Sequence, residues 1–280
     1  MSELPRRALT SVFFVAAVAG CILASRMSCY VLLTAIQAGC LYEYLRLIRP
    51  FQSYPYKVRT ILHGLVLAFA CLWHLSIFGV NSQDGFLASW LGLLAAVALL
   101  LVAEMVLLRT LYVRSFLLTV AGLVAISWTL HHAYLLTLPV GSAWYPWPAM
   151  KLFGVVLLIW AADTAAYFIG SQWGRHHLAP AVSPNKTWEG LIGGVAGSLA
   201  VGVVLWYFLG QFPLPFWLAL GSVVAIATVA GDLMESWLKR RAGVKDSGSL
   251  LPGHGGLLDR FDGWLTAMPA AAYFVLAFAS

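Results

Sequence analysis

The chain has 280 residues, of which 61% are apolar and only 10% carry a formal charge, against roughly 25% in soluble domains. So few charges do not cover the surface of a soluble domain of this size, which excludes an ordinary cytosolic enzyme, a disordered chain and a secreted disulfide scaffold. The mean hydropathy is +0.84, and the apolar runs are continuous rather than alternating as in an outer-membrane barrel. The sequence therefore predicts an all-α, polytopic membrane protein.

Nine apolar runs approach the roughly 20 residues that a membrane-spanning helix needs. They cover residues 8–25, 27–45, 60–80, 86–108, 115–138, 150–170, 190–210, 214–235 and 262–279. No charged linker and no internal repeat separates them, so we predict a single integral membrane domain over residues 1–280. A bundle of about nine spans is the expected fold, with the lipid bilayer as its surroundings.

The basic residues are divided very unequally between the two sides of this layout. The N-terminal tail and the loops after runs two, four, six and eight hold 15 of the 17 Lys and Arg residues, and only Arg26 and Lys151 fall on the other side. The positive-inside rule makes the first side cytoplasmic, so the N-terminus is predicted inside and the C-terminus outside. Because no transit peptide is recognisable, we expect a bacterial cytoplasmic (inner) membrane. The net charge of +6 is then explained by basic residues that orient the protein in the membrane and that bind anionic ligands. We therefore expect no nucleic-acid partner.

Four acidic residues and two histidine pairs are interpreted as structural. Glu3 lies in the tail and Asp84 in an outside loop, Glu43 is predicted to pair with Arg46 three residues later, and Glu104 to snorkel near Arg109. The pairs His131–His132 and His176–His177 have no partner at metal-ligand spacing, so they are interpreted as solvated residues without a ligand role.

Asp163 lies within the sixth run, about two turns before its cytoplasmic end. A carboxylate that faced lipid there would cost several kcal/mol, so the side chain is predicted to face the bundle interior or a wet cavity. A protonated acid that bonds to another helix is the structural alternative to a functional role.

The loop of residues 170–190 follows on the cytoplasmic side. Lys186 and Arg175 are candidate phosphate contacts, because cations in a loop at the membrane surface suit an anionic ligand. Ser183-Pro184-Asn185 predicts a turn. Thr187 is predicted to cap a helix that begins near Trp188.

The end of the eighth run places Asp232, Glu235, Ser236 and Lys239 on one helix face, by the i, i+3, i+4, i+7 rule. Two carboxylates and a cation on one face suit a site for metal and phosphate. A salt-bridged helix end is the structural alternative.

The following loop, residues 245–263, combines charges with glycines. Residues 232–262 hold 10 of the chain's 28 charges, five acidic and five basic. Gly248, Gly253, Gly255 and Gly256 allow tight turns and close backbone approach, and free backbone N–H groups in such a loop form an anion-binding nest. Carboxylates beside cations and glycines are typical of a site that holds Mg²⁺ and phosphates together.

These residues form a pattern that resembles the motif of the phosphatidate cytidylyltransferases (CDP-diacylglycerol synthases). The resemblance is unbroken over 27 residues and consists of Ser236-x-x-Lys239-Arg240, Lys245-Asp246-x-Gly248 and Pro252-Gly253-His254-Gly255-Gly256-x-x-Asp259-Arg260-x-Asp262. The segments Ser183–Gly190 and Asp163-Thr-x-Ala-Tyr are also similar to that family, so the motif-bearing region is 160–263 at the cytoplasmic face. The first 150 residues carry no motif.

The resemblance implies a reaction in which phosphatidate and CTP give CDP-diacylglycerol and pyrophosphate with Mg²⁺, for phospholipid synthesis. Asp232 and Asp259 become the first-choice metal ligands, with Asp163 and Asp262 second, and Lys239 joins the two aspartates as a catalytic residue. The implied phosphate-binding residues are Lys186, Ser236, Lys239, Arg240, Lys245, His254, Gly255, Gly256 and Arg260. Glu235 and Asp246 are expected to hold the basic side chains in place.

Two other functions remain open at this stage. A CTP-dependent lipid-alcohol kinase would use the same aspartates and transfer the γ-phosphate. A transporter would use Asp163, His131 and His132 as an ion path, although the chain lacks inverted repeats and its polar residues lie on one side. The sequence does not specify an oligomeric state, and a homodimer is compatible with it.

Overall fold

The computed structural model describes residues 3–77, 83–109, 111–138, 149–210, 212–250 and 255–279. Within these residues the fold is a bundle of α-helices with one small hairpin, which confirms the predicted all-α polytopic class. The helices are α1 (Glu3–Ala24), α2 (Arg26–Leu47), α3 (Tyr56–Ile77), α4 (Gln83–Leu108), α5 (Val113–Leu135), α6 (Met150–Trp173), α7 (Trp188–Leu209), α8 (Leu214–Arg241), α9 (Leu258–Phe261) and α10 (Trp264–Ala279). A 3₁₀ helix covers Arg49–Phe51, and β1 (His177–Ala179) pairs antiparallel with β2 (Ser183–Thr187).

Each of the nine predicted runs coincides with one of these helices, and α9 is an additional short helix. Among the described residues, seven segments are long and apolar enough to cross a membrane, beginning with α3 and ending with Leu258–Phe278. The apolar part of α1, Val12–Ala24, is shorter. The count of nine spans and their orientation remain predictions.

Local capping explains where several helices begin and end. Ser25 separates α1 from α2, because its hydroxyl accepts the Ser28 N–H (3.0 Å) while the Ser28 hydroxyl accepts the Ser25 N–H (3.0 Å). The Thr187 hydroxyl accepts the Gly190 N–H (3.1 Å) at the start of α7, which confirms the predicted cap. Gly210 ends α7 in the left-handed region with φ +61°.

The interpretation of residues 183–185 as a turn is wrong. These residues form the first part of β2, and the chain reverses one step earlier, where the Val182 N–H donates to the Ala179 carbonyl (3.0 Å). Pro184 is accommodated because a two-stranded hairpin has only edge strands. The hairpin bridges α6 and α7 and carries Lys186.

Helices α6 and α7 lie in close contact along a glycine face of α7. A Cβ added at Gly194 would lie 2.9 Å from the Ala162 carbonyl oxygen, and one at Gly197 would lie 2.9 Å from that of Ala161. Only glycine permits this approach of the two backbones. The packing fixes α6, which carries Asp163, against the hairpin and α7.

Helices α8 and α10 also meet at glycines. A side-chain carbon at Gly231 would overlap the Asp262 carbonyl oxygen, and one at Gly263 would lie 2.7 Å from the Thr228 methyl group. Gly231 directly precedes Asp232 and Gly263 directly follows Asp262, so this contact brings the start of α10 beside Asp232. The two aspartates therefore meet although 30 positions separate them in the sequence.

Candidate active site

A cavity of about 820 Å³ lies where the C-terminal ends of α6 and α8 meet the hairpin, the start of α7 and α9. It is a polar cavity in a chain that is otherwise mostly apolar. Its charged and polar lining residues are Asp163, Ser171, His177, Ser183, Asn185, Lys186, Thr187, Asp232, Asp259, Arg260 and Asp262.

Lys186 on β2 and Asp232 on α8 form an ion pair through the Lys186 Nζ and Asp232 Oδ2 atoms. The Ser236 hydroxyl donates to the other oxygen of Asp232, Oδ1, at 3.2 Å. Both charged side chains remain partly exposed, at 21% and 33%. Three residues predicted for phosphate and metal binding therefore bind one another in this structure.

Lys239 lies between two carboxylates. Its Nζ is 2.5 Å from Glu235 Oε2 and 2.7 Å from Asp259 Oδ1. The exposed fractions of the three side chains are 12%, 1% and 8% respectively. Glu235 thus holds a basic side chain, as expected, and the lysine compensates two charges that are mostly withdrawn from solvent.

The glycine-rich loop wraps around the Asp259 carboxylate. The Ser247 N–H donates to both of its oxygens (3.1 and 3.0 Å), and the Gly256 N–H donates to Oδ2 (2.8 Å). Gly255 lies in the left-handed region with φ +80°, which turns the next amide toward the carboxylate. The backbone donors that were predicted to bind a phosphate hold Asp259 here.

Three other carboxylates converge beside this loop. Asp232, Glu235 and Asp262 each place one oxygen so that the three atoms lie within 4.8 Å of one another. Asp262 receives one further hydrogen bond, from the Gly263 N–H (2.7 Å). Like charges at such spacing repel, so a cation bound among them is stabilised, and this group has the ligand types that hold a metal ion.

The grouping differs from the set that the sequence predicts. The group contains two of the predicted ligands, Asp232 and Asp262, and it also contains Glu235, which was not predicted as a ligand. Asp259, a first-choice ligand in the prediction, is bound to Lys239 and to backbone amides instead. Asp232 and Glu235 are three residues apart on α8, so helical spacing was the signal that could have included Glu235.

Asp163 and Arg260 both line the cavity, although they lie near opposite ends of the motif-bearing sequence range. Asp163 on α6 is exposed to the cavity, and no hydrogen bond joins it to another helix within the described part of the chain. The alternative of a buried interhelical acid is therefore not supported. Arg260 on α9 is exposed and lies on the same lining.

Arg240 and Lys245 do not line the cavity. Arg240 is exposed and donates to the carbonyls of Val182 and Val244, both at 3.4 Å, so it joins the hairpin to the end of α8. Lys245 is exposed in the loop. His254 lies outside the described residues, and the phosphate-binding roles of all three stay predictions.

Glu189 fixes the segment before the hairpin. Its Oε2 accepts the N–H groups of Arg175 (3.1 Å) and His176 (3.2 Å), while its Oε1 lies 2.5 Å from His176 Nδ1. The His176 ring is exposed, as expected, but it has a partner that the sequence did not reveal. Arg175 is not on the cavity lining.

The predicted pairing of Glu43 with Arg46 is wrong. Glu43 is buried, and its Oε2 accepts the Ser247 hydroxyl (3.1 Å) and the Leu258 N–H (2.8 Å) of the loop that surrounds Asp259. This contact could not be predicted from the local sequence around Glu43, because its partners lie more than 200 residues later in the chain.

Two other structural interpretations also change. Glu104 does not snorkel but is buried, and it accepts the Tyr54 hydroxyl (2.8 Å) and the Tyr112 N–H (2.7 Å). Burial, together with the bond to Glu104, holds the pKa of Tyr54 above its usual range. The pair His131 and His132 is buried rather than solvated, since both rings contact aromatic side chains.

The fold and the cavity define a class: a polytopic helical membrane protein in which Lys186, Arg260 and four aspartates line one cavity, suited to phosphates and a metal ion. Within that class, the chain matches the model of the cytidylyltransferase family over residues 5–278. The chain belongs to this family, which confirms the family predicted from the motif. The match includes residues 5–150, which carry no motif.

Individual relatives match over a shorter segment. A protein named phosphatidate cytidylyltransferase from Staphylococcus aureus (strain COL) is 48% identical over 115 residues, which is 40% of this chain and 44% of that relative. Proteins of the same name from Staphylococcus haemolyticus and Haemophilus influenzae are 50% identical over 115 residues and 44% identical over 128 residues. The alignments thus span less than half of these relatives, 44% of the length of each.

Proposed function

We propose that this protein transfers the cytidylyl group of CTP to phosphatidate, giving CDP-diacylglycerol and pyrophosphate for phospholipid synthesis. The observation that carries the proposal is that residues from three separate motif segments, Asp163, Lys186 and the 232–262 region, line one cavity. Family membership and the name of the relatives, phosphatidate cytidylyltransferase, support the same chemistry.

The reaction needs positioning and charge neutralisation rather than an enzyme nucleophile. A phosphate oxygen of phosphatidate forms a bond to the α-phosphorus of CTP, and the bond between that phosphorus and the bridging oxygen of pyrophosphate breaks. Lys186 and Arg260, both on the cavity lining, are proposed to bind phosphate oxygens. Lys239 is not itself on the cavity lining but binds Asp259, which is, and it is proposed to add positive charge beside the leaving pyrophosphate, in an orientation set by Glu235 and Asp259.

Mg²⁺ is the proposed metal, and the donor set fits it. Asp232, Glu235 and Asp262 offer three carboxylate oxygens that lie close together, and Mg²⁺ prefers a few carboxylates with water and substrate phosphates. When bound, Mg²⁺ supplies positive charge that neutralises the triphosphate. Asp163 faces the same cavity as a further candidate ligand. Asp259 is proposed to act mainly by holding Lys239 and the loop.

The lipid is proposed to reach the cavity beside α6 and α7. Tyr167 lines the cavity and is exposed, and Trp188 and Ile192 are exposed apolar side chains near the start of α7. Such a border keeps acyl chains in the bilayer while the phosphate enters the polar cavity. The cavity is further proposed to lie at the cytoplasmic face of a bacterial inner membrane, and the basic residues that flank it support this orientation through the positive-inside rule.

The test is product analysis with purified protein in detergent, Mg²⁺ and CTP labelled separately at the α- and γ-phosphates, with phosphatidate in one assay and diacylglycerol in a parallel one. We expect the α-label in a CDP-lipid and the γ-label in pyrophosphate. A γ-label on diacylglycerol substrate, with CDP released, would establish the lipid-alcohol kinase instead. Absence of any labelled product with protein that is folded would contradict both activities.

A further inference from the structure

Glu43 on α2 is a buried carboxylate, 1% exposed, that binds the loop between α8 and α9. Its Oε2 accepts the Ser247 hydroxyl at 3.1 Å and the Leu258 N–H at 2.8 Å. Both hydrogen bonds are made within the bundle and cross from the first helices of the chain to its last loop. A carboxylate acceptor makes them charge-assisted, which is the stronger kind of hydrogen bond.

The same face of α2 receives this loop at other points. Gly39 lies one helical turn before Glu43, and the Leu257 side chain fills the space that a Cβ at Gly39 would need. The loop residues Gly248 and Gly256 lie so close to the Glu43 carboxylate that a Cβ at either position would overlap it. The loop therefore fits onto α2 by shape as well as by hydrogen bonding.

The contact leads directly to the site. Ser247 donates its hydroxyl to Glu43 and its backbone N–H to Asp259, so one residue joins the two carboxylates. Leu258, the other residue held by Glu43, immediately precedes Asp259. Asp259 in turn binds Lys239 at 2.7 Å. A displacement of the loop at Glu43 would therefore displace Asp259 and the lysine.

We propose that Glu43 is a positioning residue, which holds Ser247 and Leu258 so that Asp259 and Lys239 keep their places in the active site. The inference rests on the proposed cytidylyl transfer for its catalytic consequence. Glu43 is not on the cavity lining, so its action passes through Ser247 and Leu258 and not through contact with substrate. It also gives the motif-free N-terminal part of the chain a role in the chemistry.

The experiment compares Glu43→Ala and Glu43→Gln with the matched control Glu104→Ala. Glu104 is also buried and accepts two hydrogen bonds, but its partners Tyr54 and Tyr112 lie outside the loop. We expect Glu43→Ala to lower kcat by about tenfold to hundredfold, by analogy with the loss of a residue that orients a metal ligand, with a much smaller change in KM for CTP. Glu43→Gln keeps one acceptor oxygen of the same shape and should restore most of kcat.

Amide hydrogen exchange supplies a readout that does not depend on activity. Glu43→Ala should speed exchange in peptides that contain Ser247 and Leu258, whereas Glu104→Ala should leave those peptides unchanged. Unchanged exchange in Glu43→Ala would overturn the anchoring, and faster exchange with normal kcat would overturn the catalytic role. If Glu43→Ala does not fold, Ser247→Ala removes one hydroxyl from the same contact and is judged by the same criteria. A wild-type protein that makes no CDP-lipid would refute the proposed function alone, since exchange still decides the anchoring.

Discussion

Lys186 on β2 forms an ion pair with Asp232 on α8, and this pair joins the hairpin to the helix that also carries Glu235. Both partners are partly exposed to the cavity, so a phosphate can replace the aspartate as the partner of the lysine. Asp232 then becomes available to a cation. We therefore expect the ion pair to open when a metal–nucleotide complex binds, with Lys186 contacting a phosphate and Asp232 the cation.

The acidic group predicts which aspartates bind Mg²⁺. We expect Mg²⁺ to raise the thermal unfolding midpoint of the wild-type protein, because a ligand that binds the native state stabilises it. Asp232→Asn and Asp262→Asn should each lose this rise, because each change removes a carboxylate from the group. Asp259→Asn should keep that rise. All three variants should lose nearly all turnover at saturating Mg²⁺ while staying folded.

Glu104→Gln is the control for these amide substitutions, since Glu104 is buried away from the cavity lining. It should keep both the Mg²⁺ effect and turnover. The opposite pattern, with the Mg²⁺ effect lost in Asp259→Asn and kept in Asp262→Asn, would make Asp259 the ligand, as first predicted from the sequence.

The two lysines should respond differently to truncation. Lys239→Ala leaves Glu235 and Asp259 close together without their cation, and both are almost fully buried. Removing one partner of such a buried group costs about 3–5 kcal/mol, so the thermal unfolding midpoint should fall clearly. Lys186→Ala loses a more exposed partner and should mainly raise KM for CTP. Equal unfolding midpoints for the two variants would contradict this distinction.

Because α6 and α7 pack closely, we expect the loss of stability on replacing a glycine with alanine to depend strongly on where that glycine lies. Gly194→Ala should lower the thermal unfolding midpoint, because its Cβ would lie 2.9 Å from the Ala162 carbonyl oxygen and such overpacking costs about 1–3 kcal/mol. Gly64→Ala on α3 is the matched control, since nothing lies within 4 Å of its added Cβ. It should be neutral or slightly stabilising. A smaller loss in Gly194→Ala than in Gly64→Ala would show that the helices can separate at little cost.

The sequence predicted those features that depend on neighbouring residues. The nine long helices were predicted from the apolar runs, and the start of α7 from the capping residue Thr187. The shared helix face of Asp232 and Glu235 was predicted from their spacing. In each case the cause lies within a few residues, either as helical periodicity or as a capping side chain.

Features that depend on distant partners were not predictable in this way. The strand at Ser183–Thr187 exists only because β1 pairs with it. Glu43 was assigned to Arg46 because local spacing allowed that pair, whereas its actual partners, Ser247 and Leu258, are brought to it by the bundle. The Asp259 carboxylate likewise occupies backbone donors that glycine spacing alone had assigned to a phosphate.

Orientation in the membrane is the last prediction, and α1 and α2 decide it. These helices meet at Ser25 and contact each other, and α2 also packs against α3 and α5, with Leu33 and Leu41 fully buried in the core. That position within the bundle favours two further spans before the seven found by length and composition. With nine spans, the N-terminus lies on the same side as the loop after α8, and the C-terminus lies on the opposite side. We predict that the loop side is cytoplasmic, because 15 of 17 basic residues then lie inside. Reporter enzymes fused at the N-terminus, within residues 242–250 and at the C-terminus should therefore report inside, inside and outside. A C-terminal reporter on the same side as the loop would refute the topology, and an N-terminal reporter on the outside would mean that only one of α1 and α2 crosses the bilayer.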